Sequence, residues 1–298
     1  MNNKLFSCGY FVLALTTFAH AEGTTNTEIN QQKLTTSTVF VDGTNSSNST
    51  EALPGATSDA QTSSFSENVA LYSQYIYRGL AQSNRHPSFQ FGIDYNHTSG
   101  FYLGAWASTI TWIRDSGAYS SNPSANMEID IYGGLKRTFE FNKDLSYDIG
   151  FLRYNYPGSY PSGAVKPDTN ELYGTLIWKW LTAKYSYSLG NTFGVSDARG
   201  TSYIDLTATF PLTDDVTLTL HAGRQEYKGN SDANNIFSYN DFRGEISKNL
   251  SNNWQIGFGV SDTTAKSNNG SGSNIYYYSA IDKNIGATTG YIFVKKVF

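Results

Sequence analysis

Ser88-Phe89-Gln90-Phe91-Gly92-Ile93-Asp94-Tyr95-Asn96, inside the stretch Glu67 to Ser108, alternates without a break. Phe89, Phe91, Ile93 and Tyr95 fall on one side; Ser88, Gln90, Gly92, Asp94 and Asn96 fall on the other. Period two is the period of a strand, so this segment is a strand with one apolar and one polar face. In a soluble sandwich the polar face meets water outside. In an outer-membrane barrel the apolar face meets lipid and the polar face lines a lumen. The rest of the chain decides between these.

Lys4 supplies a short positive region, Leu5 to Phe18 an apolar run, and Ala19-His20-Ala21 a small-x-small cleavage site. Residues 1–21 therefore read as a secretory signal peptide, cut after Ala21. The alternative, a membrane anchor, needs a longer run of about 20 apolar residues. Cys8, the only cysteine, lies inside the signal, so the mature chain lacks thiols and disulfides. From Glu22 to about Ser63 the composition collapses into Thr, Ser, Asn, Gln and Gly. Such a segment buries too little apolar surface to offset its ordering entropy, and 22–63 reads as a disordered linker. At the other end the chain stops in Tyr291-Ile292-Phe293-Val294-Lys295-Lys296-Val297-Phe298, a strand closed by a terminal aromatic in the manner of bacterial outer-membrane barrels. Lys296 stands where an aromatic is commonest.

About twelve strands emerge from the alternation: 70–77, 88–96, 101–112, 127–136, 145–154, 171–180, 182–189, 203–210, 216–224, 239–248, 254–261 and 288–297. Most have the roughly 9–11 residues of a tilted spanning strand. The connections discriminate further, because they run long, short, long, short. Residues 79–87, 113–126, 156–170, 190–202, 225–238 and 262–287 are long, while those around 97–100, 141–144, 180–181, 211–215 and 249–253 are short. Barrels have long external loops and short periplasmic turns, and an even strand number puts both ends on the periplasmic side. Proline removes a ladder hydrogen bond, and the seven prolines all avoid strand interiors, with Pro87 at a strand start and Pro211 in a turn. Trp178, Trp180 and Trp254 sit at the short-turn ends, where an aromatic girdle belongs. In the third strand Phe101, Leu103 and Ala105 compete with Tyr102 and Trp106 for the lipid face. The expectation is one all-β domain over 64–298, a transmembrane antiparallel up-and-down β-barrel.

Several of these segments together resemble a known family. They are Tyr77-Arg78-Gly79 with Gln82-Ser83, Phe91-Gly92-Ile93-Asp94-Tyr95, Ser99-Gly100-Phe101-Tyr102, Gly104-Ala105-Trp106, Ile129-Asp130-Ile131-Tyr132-Gly133-Gly134, Tyr147-Asp148-Ile149-Gly150 and Tyr154-Asn155-Tyr156-Pro157. As a set they resemble the TorF family of porin-type proteins, also called Gcw_chp, from about Phe65 to Phe298 and not over the linker. The resemblance implies an outer-membrane location and a porin role. It carries over no catalytic residue and no substrate.

Without Lys4 the counts leave 20 basic against 25 acidic residues, a net charge of about −5, which repels nucleic-acid phosphates. The expected partners are outer-membrane lipid, lipopolysaccharide and small solutes. No cofactor or metal is expected, since the four histidines have no ligand spacing and no cysteine assists. An enzymatic reading would use His221 as base with a neighbouring serine, in the manner of a barrel phospholipase; a lone wall histidine is the simpler reading, and the chain is expected not to be an enzyme. Gly257-Phe258-Gly259 is too short for a phosphate loop and is explained by wall curvature.

The polar face gives the candidate lumen set. Its acids are Asp94, Glu128, Asp130, Asp148, Glu171, Asp205, Asp241 and Glu245; its bases are Arg78, Lys179, Lys184 and Arg243, with His221 beside them. Two readings stand. Acids and bases pair across the lumen to hold or close the barrel, or the acid excess makes a narrow passage that favours cations. The tyrosines Tyr72, Tyr132, Tyr173 and Tyr203 on the same face serve as a stacking track for sugars or aromatic solutes, or as wall packing. The functional expectation is passive or weakly selective diffusion of small, cationic solutes through a narrow lumen, with a closed structural or surface-interaction barrel as the alternative.

Overall fold

The computed structural model describes residues 40–41, 44–45, 63–119, 123–229, 232–266, 275–278 and 281–298. The signal at 1–21 and nearly all of the 22–63 linker lie outside these residues. The exceptions in the linker are Phe40–Val41 and Thr44–Asn45, which pair antiparallel, and residue 63.

Twelve antiparallel strands close into a barrel in which each pairs with its sequence neighbours. They are β1 (Ser64–Tyr72), β2 (Ser88–Asn96), β3 (Phe101–Thr109), β4 (Met127–Phe139), β5 (Asn142–Asn155), β6 (Thr169–Trp178), β7 (Leu181–Ser188), β8 (Ser202–Pro211), β9 (Val216–Glu226), β10 (Tyr239–Leu250), β11 (Trp254–Thr263) and β12 (Thr289–Val297). Closure is made by β12 against β1, from Phe293 opposite Tyr72 to Val297 opposite Asn68. A closed ladder leaves no edge, which is what a sheet in lipid requires.

The alternation expected for β2 is the observed one. Ser88, Gln90, Gly92 and Asp94 are buried inside, while Phe89 and Phe91 are exposed outside. The same parity runs around the wall, with Leu103, Ile131, Ile149, Leu172, Ile204, Leu206, Phe242 and Phe258 all exposed on the outer face. Water would penalise such a continuous apolar band, and a hydrocarbon layer matches it. The ambiguity in β3 resolves with Phe101 and Leu103 outward and Trp106 buried inward. At the short-turn end Trp178, Trp180 and Trp254 are exposed, and Trp180 stacks on Phe210 at 5.2 Å. Lys296, placed where an aromatic is commonest, runs its ammonium over Trp254 at 5.7 Å and Phe298 at 5.5 Å and reaches the Asn252 carbonyl in the turn. An outward lysine so near the interface snorkels to it.

Three expectations need correction. The first wall strand is 64–72 and not 70–77, because 64–72 pairs residue for residue with β2 whereas the chain leaves the wall after Ser73. The third strand ends at Thr109, and Trp112–Asp115 is a single helical turn. Pro211 is the last residue of β8 and not a turn residue. Gly257 and Gly259 also seat rings, since a Cβ on them would lie 2.3 Å from Phe293 and Tyr291 atoms respectively.

Gly104 is used in the same way: a Cβ there would lie 2.4 Å from the Tyr132 ring, which is itself held by Asp94. Gly104→Ala is therefore expected to cost about 1–3 kcal/mol through overpacking. Urea unfolding in micelles reads this directly, and an unchanged midpoint would show that the ring has room to move.

Candidate functional site

The site is the lumen and the mouth at its long-loop end. Residues 73–87 do not stay outside but fold into the mouth. Ile76–Tyr77 pairs with Leu80–Ala81 in a two-residue hairpin whose central residues Arg78 and Gly79 have φ of 44° and 77°. Positive φ at both centres is the arrangement a tight hairpin of this hand adopts, and glycine suits the second. Gly79 is also tied by space, since a Cβ would lie 2.5 Å from Asp241 on β10 and Thr263 on β11.

The tip crosses the lumen. Arg78 reaches the far wall, donating to both oxygens of Glu171 on β6 at 3.1 and 2.8 Å and to Gln225 on β9 at 2.9 Å. Its guanidinium lies over the Tyr203 ring at 4.3 Å and the Tyr77 ring at 5.0 Å. Burial alone would lower the pKa of Arg78, but the Glu171 carboxylate outweighs it and holds the group above its ordinary range. Tyr77 donates to Tyr154 on β5 at 2.6 Å, and Tyr75 to Glu128 on β4 at 3.3 Å. The segment is thus tied to β4, β5, β6 and β9 and lies against β10 and β11.

Below this plug the lumen holds paired side chains. Tyr132 donates to Asp94 at 2.6 Å, Tyr102 to Asp148 at 2.7 Å and Tyr291 to Glu245 at 2.5 Å. Lys184 lies over the Tyr173 ring at 4.4 Å. His221 sits between two carboxylates, with Nε2 2.8 Å from Asp241 and Nδ1 3.3 Å from Asp205, and with Tyr203 and Thr207 completing its surroundings. No serine hydroxyl is among its partners in the described residues. Glu128 and Asp130 share the inner face of β4, both fully buried, and no described donor reaches the Asp130 oxygens. Among the described residues no three His, Cys, Asp or Glu are grouped to hold a metal.

Of the candidate set, Asp94, Glu128, Asp130, Asp148, Glu171, Lys184, Asp205, His221, Asp241 and Glu245 are buried on the inner face, Arg243 faces inward half-buried, and Arg78 is buried in the plug. Lys179 is a correction. The strand ends at Trp178, and Lys179 lies in the short turn at φ 52°, exposed and 3.5 Å from Asp144. Sequence reasoning also missed Lys295, buried on the parity of Tyr291 and Phe293, and Lys136, inward and opposite Asp148. Continuing each strand's parity to its end would have found both.

Comparison with known proteins bears on this geometry. A family model described as a bacterial protein of unknown function, Gcw_chp, matches residues 56–298. The chain belongs to the Gcw_chp family. That description carries no porin label, so the TorF designation in the sequence resemblance stays outside it. A search of curated proteins gave no match to this Gcw_chp chain. Among solved structures the Gcw_chp barrel is similar to the KdgM porin in complex with disordered oligogalacturonate, at 12% identity over 78% of this chain and 99% of that one, with a TM-score of 0.44. It is also similar to the COG4313 outer membrane channel from Pseudomonas putida F1, at 12% identity over 83% and 100%, with a TM-score of 0.43.

Proposed function

We propose that this protein is an outer-membrane channel for small solutes, reached by export, in which the hairpin at 76–81 closes the resting mouth. The observation that carries the reading is that a segment hung from a loop, and not part of the wall ladder, is anchored across a polar, charged lumen through Arg78. Eight-stranded barrels are filled by their own side chains and sixteen-stranded porins hold water, so a twelve-stranded wall leaves at most a narrow passage, which a loop segment can close. A loop can leave where a wall residue cannot. The reading involves no chemistry on the solute.

The inner face keeps an acid excess, though a smaller one than the sequence suggests. Eight inward acids face Arg78, Lys136, Lys184, Arg243 and Lys295, with His221 between two of the acids. Once the plug is displaced Arg78 leaves the count, so the open passage prefers cations. In planar bilayers under a KCl gradient the reversal potential is expected on the cation side, shrinking toward molar salt, where the Debye length is about 3 Å. Replacing Glu128 and Asp130 together by Gln and Asn is expected to reduce that preference; an anion-selective reversal potential would contradict the reading. The second reading, a closed structural barrel, is favoured by one observation, the multiple ties of Arg78, and permanently silent bilayers would support it.

A further inference from the structure

Above the plug the long loops enclose a cavity of about 740 Å³, within the range of roughly 300–1,000 Å³ usual for small-molecule sites. Its wall is aromatic, with Tyr77, Trp112, Phe193, Tyr227, Tyr276 and Tyr278 among the lining rings. No Asp, Glu, Lys, Arg or His lines it among the described residues, in contrast to the charged lumen beneath. Polar groups converge on this wall without being used up by the protein. The Trp112 indole N–H is buried with no described partner. The hydroxyls of Tyr227 and Tyr278 likewise have none among the described residues, although both side chains are buried. Both phenols are pushed up by burial, so they remain protonated donors at neutral pH. The side-chain carbonyls of Gln82 and Asn234, whose amide nitrogens are spent on backbone oxygens, add acceptors.

Flat rings bind the apolar faces of a ring-shaped solute, while leftover N–H, O–H and C=O groups need partners that a hydrocarbon does not offer. A charged solute would lose its hydration here without gaining a counter-charge. We propose that the loop-side vestibule is a binding site for an uncharged saccharide. Sugar rings present C–H faces for stacking and hydroxyls that both donate and accept, which is the combination this wall leaves unmet. The proposal rests on the channel reading only for the passage of the bound sugar onward; binding itself is read without conduction, so the two fail separately.

The test is isothermal titration calorimetry on the full mature protein in a detergent without a sugar headgroup. The probes are maltotriose and cellotriose as neutral saccharides, trigalacturonate as the anionic one and benzyl alcohol as a neutral aromatic. Saturable binding of a neutral trisaccharide is expected, weakened about tenfold in Trp112→Leu and severalfold in a Tyr227→Phe, Tyr278→Phe double variant. Heat-modifiable mobility on gels establishes that each variant is folded, and the double variant removes only two oxygen atoms if the tryptophan change proves disruptive. Equal or tighter binding of trigalacturonate would overturn the charge argument, and binding of benzyl alcohol alone would overturn the saccharide assignment. No heat with any probe up to about 10 mM, or neutral binding untouched in folded variants, would overturn the site.

Discussion

Arg78→Ala should release the hairpin from the mouth. The guanidinium is buried and serves both Glu171 oxygens and Gln225, so its removal leaves a buried carboxylate uncompensated. Breaking a buried pair on one side costs about 3–5 kcal/mol, and the cost falls on the loop, since the wall ladder does not pass through Arg78. Amide exchange over residues 75–84 is therefore expected to accelerate roughly a hundredfold or more, while exchange in β4 and β5 stays slow. Arg78→Lys should recover only part of the protection, because one ammonium cannot reproduce the fork that meets Glu171 and Gln225 together. Unchanged exchange in the alanine variant would show that the hairpin is held by its tyrosines and not by the charge.

Phe91→Arg should destabilise the whole barrel by about 2–4 kcal/mol, the depth-dependent cost of a cation on the lipid face near mid-strand. Phe91 is exposed at the middle of β2 and points away from the lumen. Phe91→Leu, which keeps the face apolar, should cost much less, and urea unfolding in lipid vesicles compares the two. Equal losses would mean that the damage comes from packing and that the outer face does not meet hydrocarbon. Alternation alone suggests that Arg at Gly92 or Gln90 is a tolerated control, since those positions face inward. The packed interior makes them poor controls: a Cβ on Gly92 would lie 2.6 Å from Asn68, and Gln90 is buried.

The wall was legible because period two, proline placement and loop lengths are each imposed by the ladder and by lipid, and they agree. What failed lay where the chain leaves the ladder. Tyr75 and Tyr77 alternate like wall residues, yet they are buried together in the mouth, and only the cross-strand pairing of 64–72 shows that the strand has already ended. Trp112 prolongs the greasy run of β3 into a helical turn that packs inside the mouth. Lys179 continues the inward parity of β6 one step past its end, where the positive-φ turn cancels the parity. The lumen residues were legible as a face, but their partners were not. Which acid meets which base depends on strand stagger and on a loop that comes from outside the wall, and neither leaves a period in the sequence.

Single-channel recording of the purified protein beside a variant with Ile76–Ala81 replaced by a Gly-Ser linker tests the central claim most directly. Both proteins should first show heat-modifiable mobility, which reports a closed barrel. The account predicts small or infrequent conductance for the natural chain and a severalfold larger, steadily open, cation-preferring conductance for the variant. Equal conductance in the two, or silence in both, would contradict a lumen closed by the hairpin.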